Sequence, residues 1–151
     1  MEDEYFESST KYFASIQITS LNINDDFIDI KRIIYLLKSL PNLSSLEVSL
    51  KSFKNQVLQS LKQTQDFLSV SMNNKTTKVK LVKFAEDESI RFWIDLCPNM
   101  NYLEIDCQNE SDIERIVKLI RNYSCQLKSL CFNISTVDEK PTKHLRKIID
   151  H

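Results

Sequence analysis

Apolar residues alternate with polar ones through Ile16, Ile18, Leu21 and Ile23, the pattern of a strand with one buried face. From Phe27 the period lengthens. Phe27, Ile30, Ile33, Ile34, Leu37 and Leu40 recur at intervals of three and four, which predicts a helix with one apolar face. Asp25 and Asp26 stand where a helix start needs acceptors for its orphan N–H groups, and Pro41 ends the helical run. A strand is predicted over 43–50, then a helix over 53–62 with Val57, Leu58 and Leu61 inward. Residues 67–70 and 79–82 both read as strands. The polar link between them is too short for a parallel crossover, so a hairpin or an irregular excursion is expected there.

The pattern then becomes regular again. Glu86, Asp87, Glu88 and Ser89 open a helix whose Ile90, Trp93, Ile94 and Cys97 share a face, with acidic residues at the positive end of its dipole and Pro98 at its close. A strand follows over 102–107. Ser111 and Glu114 have capping-box spacing ahead of a helix that reaches about Tyr123, with Ile113, Ile116, Val117 and Ile120 inward. A strand over 127–134 and a last helix from Pro141, carrying Leu145, Ile148 and Ile149, complete the series. Residues 1–12 form a polar N-terminal segment, and one domain spans 13–151. Strands alternating with helices predict parallel strands joined by helical crossovers.

One phrase occurs twice. Leu40-Pro41-Asn42-Leu43-Ser44-Ser45-Leu46-Glu47-Val48 is echoed by Cys97-Pro98-Asn99-Met100-Asn101-Tyr102-Leu103-Glu104-Ile105, with a weaker copy in Cys125-Gln126-Leu127-Lys128-Ser129-Leu130-Cys131-Phe132. Leu21 and Leu46 are 25 residues apart, Leu46 and Leu103 are 57 apart, and Leu103 and Leu130 are 27 apart. The longest interval holds two units, which places a degenerate one between 46 and 103. Units in the twenties match the leucine-rich class of repeats.

The residues carry that resemblance as a motif. Leu43-x-x-Leu46-x-Val48, Met100-x-x-Leu103-x-Ile105, Leu127-x-x-Leu130-x-Phe132 and, more weakly, Ile18-x-x-Leu21-x-Ile23 resemble the L-x-x-L-x-L core of leucine-rich repeats. The junction Leu96-Cys97-Pro98-Asn99-Met100 looks like those of F-box leucine-rich-repeat proteins, whose repeats recognise substrates of ubiquitin ligases. The resemblance covers about 13–135 and implies a short, degenerate α/β solenoid, with parallel strands on one face, helices on the other and an irregular segment near 66–84. The Asn or Cys that the family places three residues after the motif is replaced here by Asp26, Lys51, Gln108 and Ser135. No F-box block precedes the repeats.

Composition narrows the chemistry. The chain has no glycine, which excludes standard P-loops, dinucleotide fingerprints and nucleophile elbows, because each needs glycine at a tight or closely approached backbone position. Turns must therefore use Asn, Ser or Lys. The net charge is −1, which argues against nucleic acid as a partner. Lys75, Lys78, Lys80 and Lys83, beside Phe84, read as a solvated strand face rather than a phosphate site. Cys97, Cys107, Cys125 and Cys131 contain no C-x-x-C pair, so no metal site is expected. Trp93 and Cys97 fall on core positions. His144 and His151 have no nucleophile or orienting group assigned to them, and no cofactor is implied. The acidic start lacks the cationic and apolar regions of a signal peptide, and no apolar run is long enough for a membrane helix. An intracellular chain, cytoplasmic or nuclear, is expected.

These readings converge on a non-catalytic protein-interaction module of the substrate-recognition or adaptor type. In each motif strand the apolar residues point inward and the intervening ones outward. The expected partner-binding residues are Asn22, Glu47, Asn101, Tyr102, Glu104, Lys128 and Cys131. Asn22, Glu47, Glu104 and Cys131 should form one row, with Ser69 or Lys80 filling the irregular unit. Tyr102 offers the rigid aromatic surface enriched at binding hot spots. The alternative is a structural α/β domain that associates with itself, with the solenoid ends as contacts.

Overall fold

In the computed structural model, residues 17–24, 29–49, 55–83, 86–123, 126–134 and 143–148 are described. Their elements, in chain order, are β1 (Ser20–Asn24), α1 (Ile30–Lys38), β2 (Ser45–Ser49), α2 (Asn55–Lys62), α3 (Gln65–Asn73), β3 (Lys78–Val82), α4 (Asp87–Leu96), β4 (Tyr102–Cys107), α5 (Glu110–Asn122), β5 (Ser129–Ile134) and β6 (Lys143–Ile148). The polar segment 1–12 and the residues Asp25 and Asp26 lie outside the described residues. The chain is an α/β protein built on one sheet. Its strands are ordered β1-β2-β3-β4-β5-β6; the first five are parallel and β6 runs antiparallel to β5.

The register answers the question raised by the repeated phrase. Leu21 pairs with Leu46, Leu46 with Val79, Val79 with Leu103 and Leu103 with Leu130. Leu46 and Leu103 therefore occupy equivalent places, 1% and 0% exposed. The 57-residue interval holds β3, in register steps of 33 and 24 residues. The longer step carries two helices, α2 and α3.

Alternation decides which face is which. Leu46, Val48, Val79, Leu81, Leu103, Ile105, Leu130 and Phe132 are buried in one cluster with Ile33, Ile34, Leu58, Phe67, Trp93 and Ile116 from the five helices. The helices therefore cover one face of the sheet. Trp93 is 2% exposed, and its ring meets Phe92 edge-on at 5.6 Å. Phe92 in turn packs on Phe67. Cys97 takes the buried place that Leu40 holds in the first copy of the phrase.

A backbone ladder joins the units at the strand starts. The Thr19 carbonyl accepts from the N–H groups of Ser44 and Ser45, the Ser44 carbonyl from Thr77 and Lys78, the Thr77 carbonyl from Asn101 and Tyr102, and the Asn101 carbonyl from Lys128 and Ser129, all at 2.8–3.1 Å. Each carbonyl uses both lone pairs, so the polar backbone at the junction is satisfied without glycine. Hydroxyls reinforce it: Ser44 Oγ donates to the Thr19 carbonyl, and the fully buried Thr76 donates to the Leu43 carbonyl. Asn74 ties α3 to the second Pro-Asn junction. Its amide donates to the Leu96 carbonyl at 3.2 Å, and its own carbonyl accepts from Asn99 Nδ2 at 2.8 Å.

Four local expectations are corrected. Residues 67–70 are not a strand but part of α3. Thr64 caps that helix by accepting from the Phe67 N–H, and Phe67 and Val70, three apart, are buried together. A run of four with three apolar residues fits either element, and tertiary packing decides. The last element is also a strand, β6, not a helix. Helical spacing over so short a piece is marginal alone, while β5 presents a row of backbone groups that a sixth strand satisfies. The cap of α5 lies two residues upstream of the Ser111–Glu114 pair. Asn109 accepts from the Asp112 N–H at 3.1 Å, and Asp112 accepts from the Gln108 N–H at 3.2 Å. Val57, expected inward, is 43% exposed.

Candidate recognition face

The face of the sheet opposite the helices carries the even positions of β1, β3 and β4 and the odd positions of β2 and β5. Its central row, read from the register, is Asn22, Glu47, Lys80, Glu104 and Cys131. The row continues to Arg146 as a register position in β6. The row on one side is Ser20, Ser45, Lys78, Tyr102 and Ser129; on the other side Asp106 pairs with Asn133. Lys80 fills the irregular unit. Ser69, the other candidate for that place, is on α3.

Glu104 is the hub. Its Oε2 accepts from the Tyr102 hydroxyl at 3.2 Å. Its Oε1 accepts from Asn133 Nδ2 at 2.5 Å and pairs with Lys80 Nζ at 3.3 Å. Asn133 Nδ2 also reaches Asp106 Oδ1 at 3.1 Å. Asp106 Oδ2 accepts from the N–H of Lys83, which holds a left-handed φ of 66°. In a chain without glycine this is the one positive φ among the described residues, at a lysine. The left-handed region costs a non-glycine residue about 1 kcal/mol, and the Asp106 bond offsets part of it.

The charges respond to this packing. Burial alone would raise the Glu104 carboxyl, but the Asn133 amide, then Lys80 and the Tyr102 hydroxyl, outweigh it and hold it below the ordinary carboxylate range. Partial burial works to lower the Lys80 ammonium, but Glu104, then Glu47 and Asp106, leave it above its ordinary value. Burial first, then the Cys131 thiol and the Glu104 charge, push the Tyr102 phenol up to about 12. Lys80 stands between two acids in the row and closes on Glu104. Glu47, half-buried, holds no ion pair among the described residues.

The expected site residues separate into two groups. Asn22, Glu47, Tyr102, Glu104 and Cys131 lie together on the outward face. Asn101 and Lys128 do not join them: they sit just before β4 and β5, and their backbones form the junction ladder. Asp106 and Asn133 were missing from the expected set, and Lys80 stood in it only as one of two candidates for the irregular unit. Simple alternation carried two residues beyond Glu104 and Cys131 reaches Asp106 and Asn133. The lysine run is dispersed, since Lys78 and Lys80 lie on this face and Lys80 is neutralised by Glu104.

The helix side carries a different arrangement. An open pocket of about 480 Å³ is lined by Ile94, Cys97, Met100, Leu127, Asp95 and Tyr123 among others. Its polar groups are structural: Asp95 Oδ2 takes both Lys62 Nζ and the Tyr123 hydroxyl at 2.7 Å, and the Asp95 carbonyl accepts from Ser71 Oγ. Burial pushes the Cys97 thiol at its wall up to about 12, far from a reactive thiolate. Among the described residues no group of three or more His, Cys, Asp or Glu is arranged to hold a metal ion, and no helix is long and apolar enough to cross a membrane.

Comparison with known proteins gives one finding of note. Over 74 residues the chain is 34% identical to an FBD-associated F-box protein of Arabidopsis thaliana, a match that covers 49% of this chain and 15% of that protein's length. No family model and no solved structure matches the chain.

Proposed function

We propose that this chain is a non-catalytic recognition domain of leucine-rich-repeat type, a short solenoid that binds a protein partner through its outward sheet face. Asn22, Glu47, Tyr102, Glu104 and Cys131 form the contact surface, with Lys80 among them. The observation that carries the proposal is the register. Five parallel strands in sequential order place one outward row, Asn22 to Cys131, side by side over a helix-backed core. A sheet face of this kind presents a continuous, rigid surface for a partner. The similarity to an F-box protein supports a substrate-recognition or adaptor role. The Tyr102–Glu104–Lys80–Asn133 network supports it too, because it fixes the rotamers of Tyr102 and Glu104 before any partner arrives.

The test is a pull-down with the wild type and a Tyr102→Ala, Glu104→Lys double variant, with circular dichroism to show that both are folded. Loss of a specific protein from the variant, with the fold intact, supports the face as the binding surface. An unchanged set of partners moves the surface elsewhere.

A further inference from the structure

β1 is paired on one side only: among the described residues no strand lies beyond it. Open sheet edges invite pairing with other chains, and proteins usually guard them with charges, prolines or bulges. At the opposite end of the sheet β6 has the basic sequence Lys143-His144-Leu145-Arg146-Lys147-Ile148. β1 reads Ser20-Leu21-Asn22-Ile23-Asn24, without a charge or a proline, and pairs with β2 in unbroken register. Burial also fails at this end. Leu46, Val79, Leu103 and Leu130 are at most 1% exposed, but Leu21, in the same row, is only half-buried, as is Ile18 just before it.

The backbone shows what the edge offers. The Thr19 carbonyl points to β2, where Ser44 and Ser45 donate to it. N–H and C=O directions alternate along a strand, so Leu21 and Ile23 also face β2. Ser20, Asn22 and Asn24 therefore aim their backbone groups away from the sheet.

We propose that this edge pairs with the same edge of a second copy, antiparallel, about a two-fold axis normal to the sheet at Asn22. Asn22 then opposes Asn22 of the second copy, and Ser20 opposes Asn24 on each side. All three are hydrogen-bonded pairs, so every outward N–H and C=O of the strand finds a partner. Leu21 meets Ile23 of the second copy on the helix-covered face, which completes the burial of the one half-buried member of the leucine row. Such a contact is isologous and closes at two copies, and the two helix layers stay on one side of the joined sheet. A junction of β1 with β6 would instead set an uncharged edge against a basic one. The pairing uses the backbone edge of β1 rather than the side chains of the outward row, although Asn22 belongs to both, and it does not depend on the partner proposed for that face.

Sedimentation equilibrium of the full 151-residue chain tests the proposal. Over a roughly hundredfold rise in concentration the average mass should climb from one chain toward two, as a weak dimer requires. Leu21→Lys should raise the dissociation constant at least about tenfold while the fold is retained. The Tyr102→Ala, Glu104→Lys variant should dimerise like the wild type. Asn22→Cys should form an interchain disulfide under mild oxidation, because facing residues of such a pair have Cα atoms about 5.5 Å apart, within disulfide range. Ser20→Cys, which opposes Asn24, should not. A chain that stays monomeric throughout overturns the proposal. So does a dimer that Leu21→Lys leaves intact and that Asn22→Cys fails to cross-link.

Discussion

Truncating the leucine row to alanine, one position at a time, tests whether the repeat units are physically equivalent. Leu46, Leu103 and Leu130 are at most 1% exposed and lie between strands and helices of a single cluster. Each truncation removes the transfer free energy of the lost carbons and leaves a cavity that the neighbours only partly fill, a cost of about 3 kcal/mol within the usual 2–5. Leu21 is half-buried at an open end, so it loses only part of its transfer term and leaves no closed cavity; Leu21→Ala should cost about 1 kcal/mol. Urea unfolding, followed by the fluorescence of the buried Trp93, reads these values. With a slope of about 2 kcal/mol per M, the three buried positions should lower the midpoint by about 1.5 M and Leu21→Ala by about 0.5 M, at unchanged slope. The series is run at low protein concentration, where the β1 edge is free. The cost of Leu21→Ala should grow at higher concentration if a second copy covers it. Costs at Leu46 and Leu103 that differ by more than about 1.5 kcal/mol would refute their equivalence. A full-sized cost at Leu21 in dilute protein would refute the open end.

Three further outcomes follow from the charged and polar networks. Because the Glu104 carboxyl is held low in the folded protein, its contribution to stability is present above the unfolded carboxyl range and is lost as pH falls through the folded value. Glu104→Gln should flatten that part of an acid-unfolding profile. The phenols of Tyr102 and Tyr123 are both raised to about 12, chiefly by burial. The unfolded chain should therefore ionise them first and stability should fall as pH rises above the ordinary tyrosine value, with Tyr102 and Tyr123 titrating near 12 in ultraviolet absorbance of the folded protein. Asp95→Ala removes the shared acceptor of Lys62 and Tyr123 between three helices and should cost about 2 kcal/mol in denaturant unfolding, against less than 1 kcal/mol for the exposed pair partner Asp66→Ala.

The regular units were legible because their sequence carries two independent signals that agree. In β4 and α5, alternation gives way to three-and-four spacing at the point where the chain changes structure, and the Pro-Asn phrase marks the junction before it. The outward row could be read for the same reason: once Leu46 and Leu103 are equivalent, Glu47 and Glu104 must share a face. Where only one signal existed, the outcome depended on distant packing. Residues 67–70 carry Phe67, Leu68 and Val70, apolar enough to read as a strand, yet Phe67 and Val70 serve as the inner face of α3, and the last segment carries helical spacing but forms β6 beside β5. The Glu104 hub was out of reach as well. It requires side chains from β3, β4 and β5 to converge, and no spacing within one segment states which of Glu47 and Glu104 Lys80 will choose.

Sequential strand order has a kinetic meaning. Every parallel pairing joins a strand to the next one along the chain, and the largest step, between β2 and β3, is 33 residues. Loop closure is therefore cheap at every stage, and assembly can start at any adjacent pair and spread outward like a zipper. The same property makes loss of order graded. Amide exchange should be slowest in β3 and β4, the two central strands of the six, and faster in β1 at the parallel edge, where fraying breaks only one set of backbone bonds.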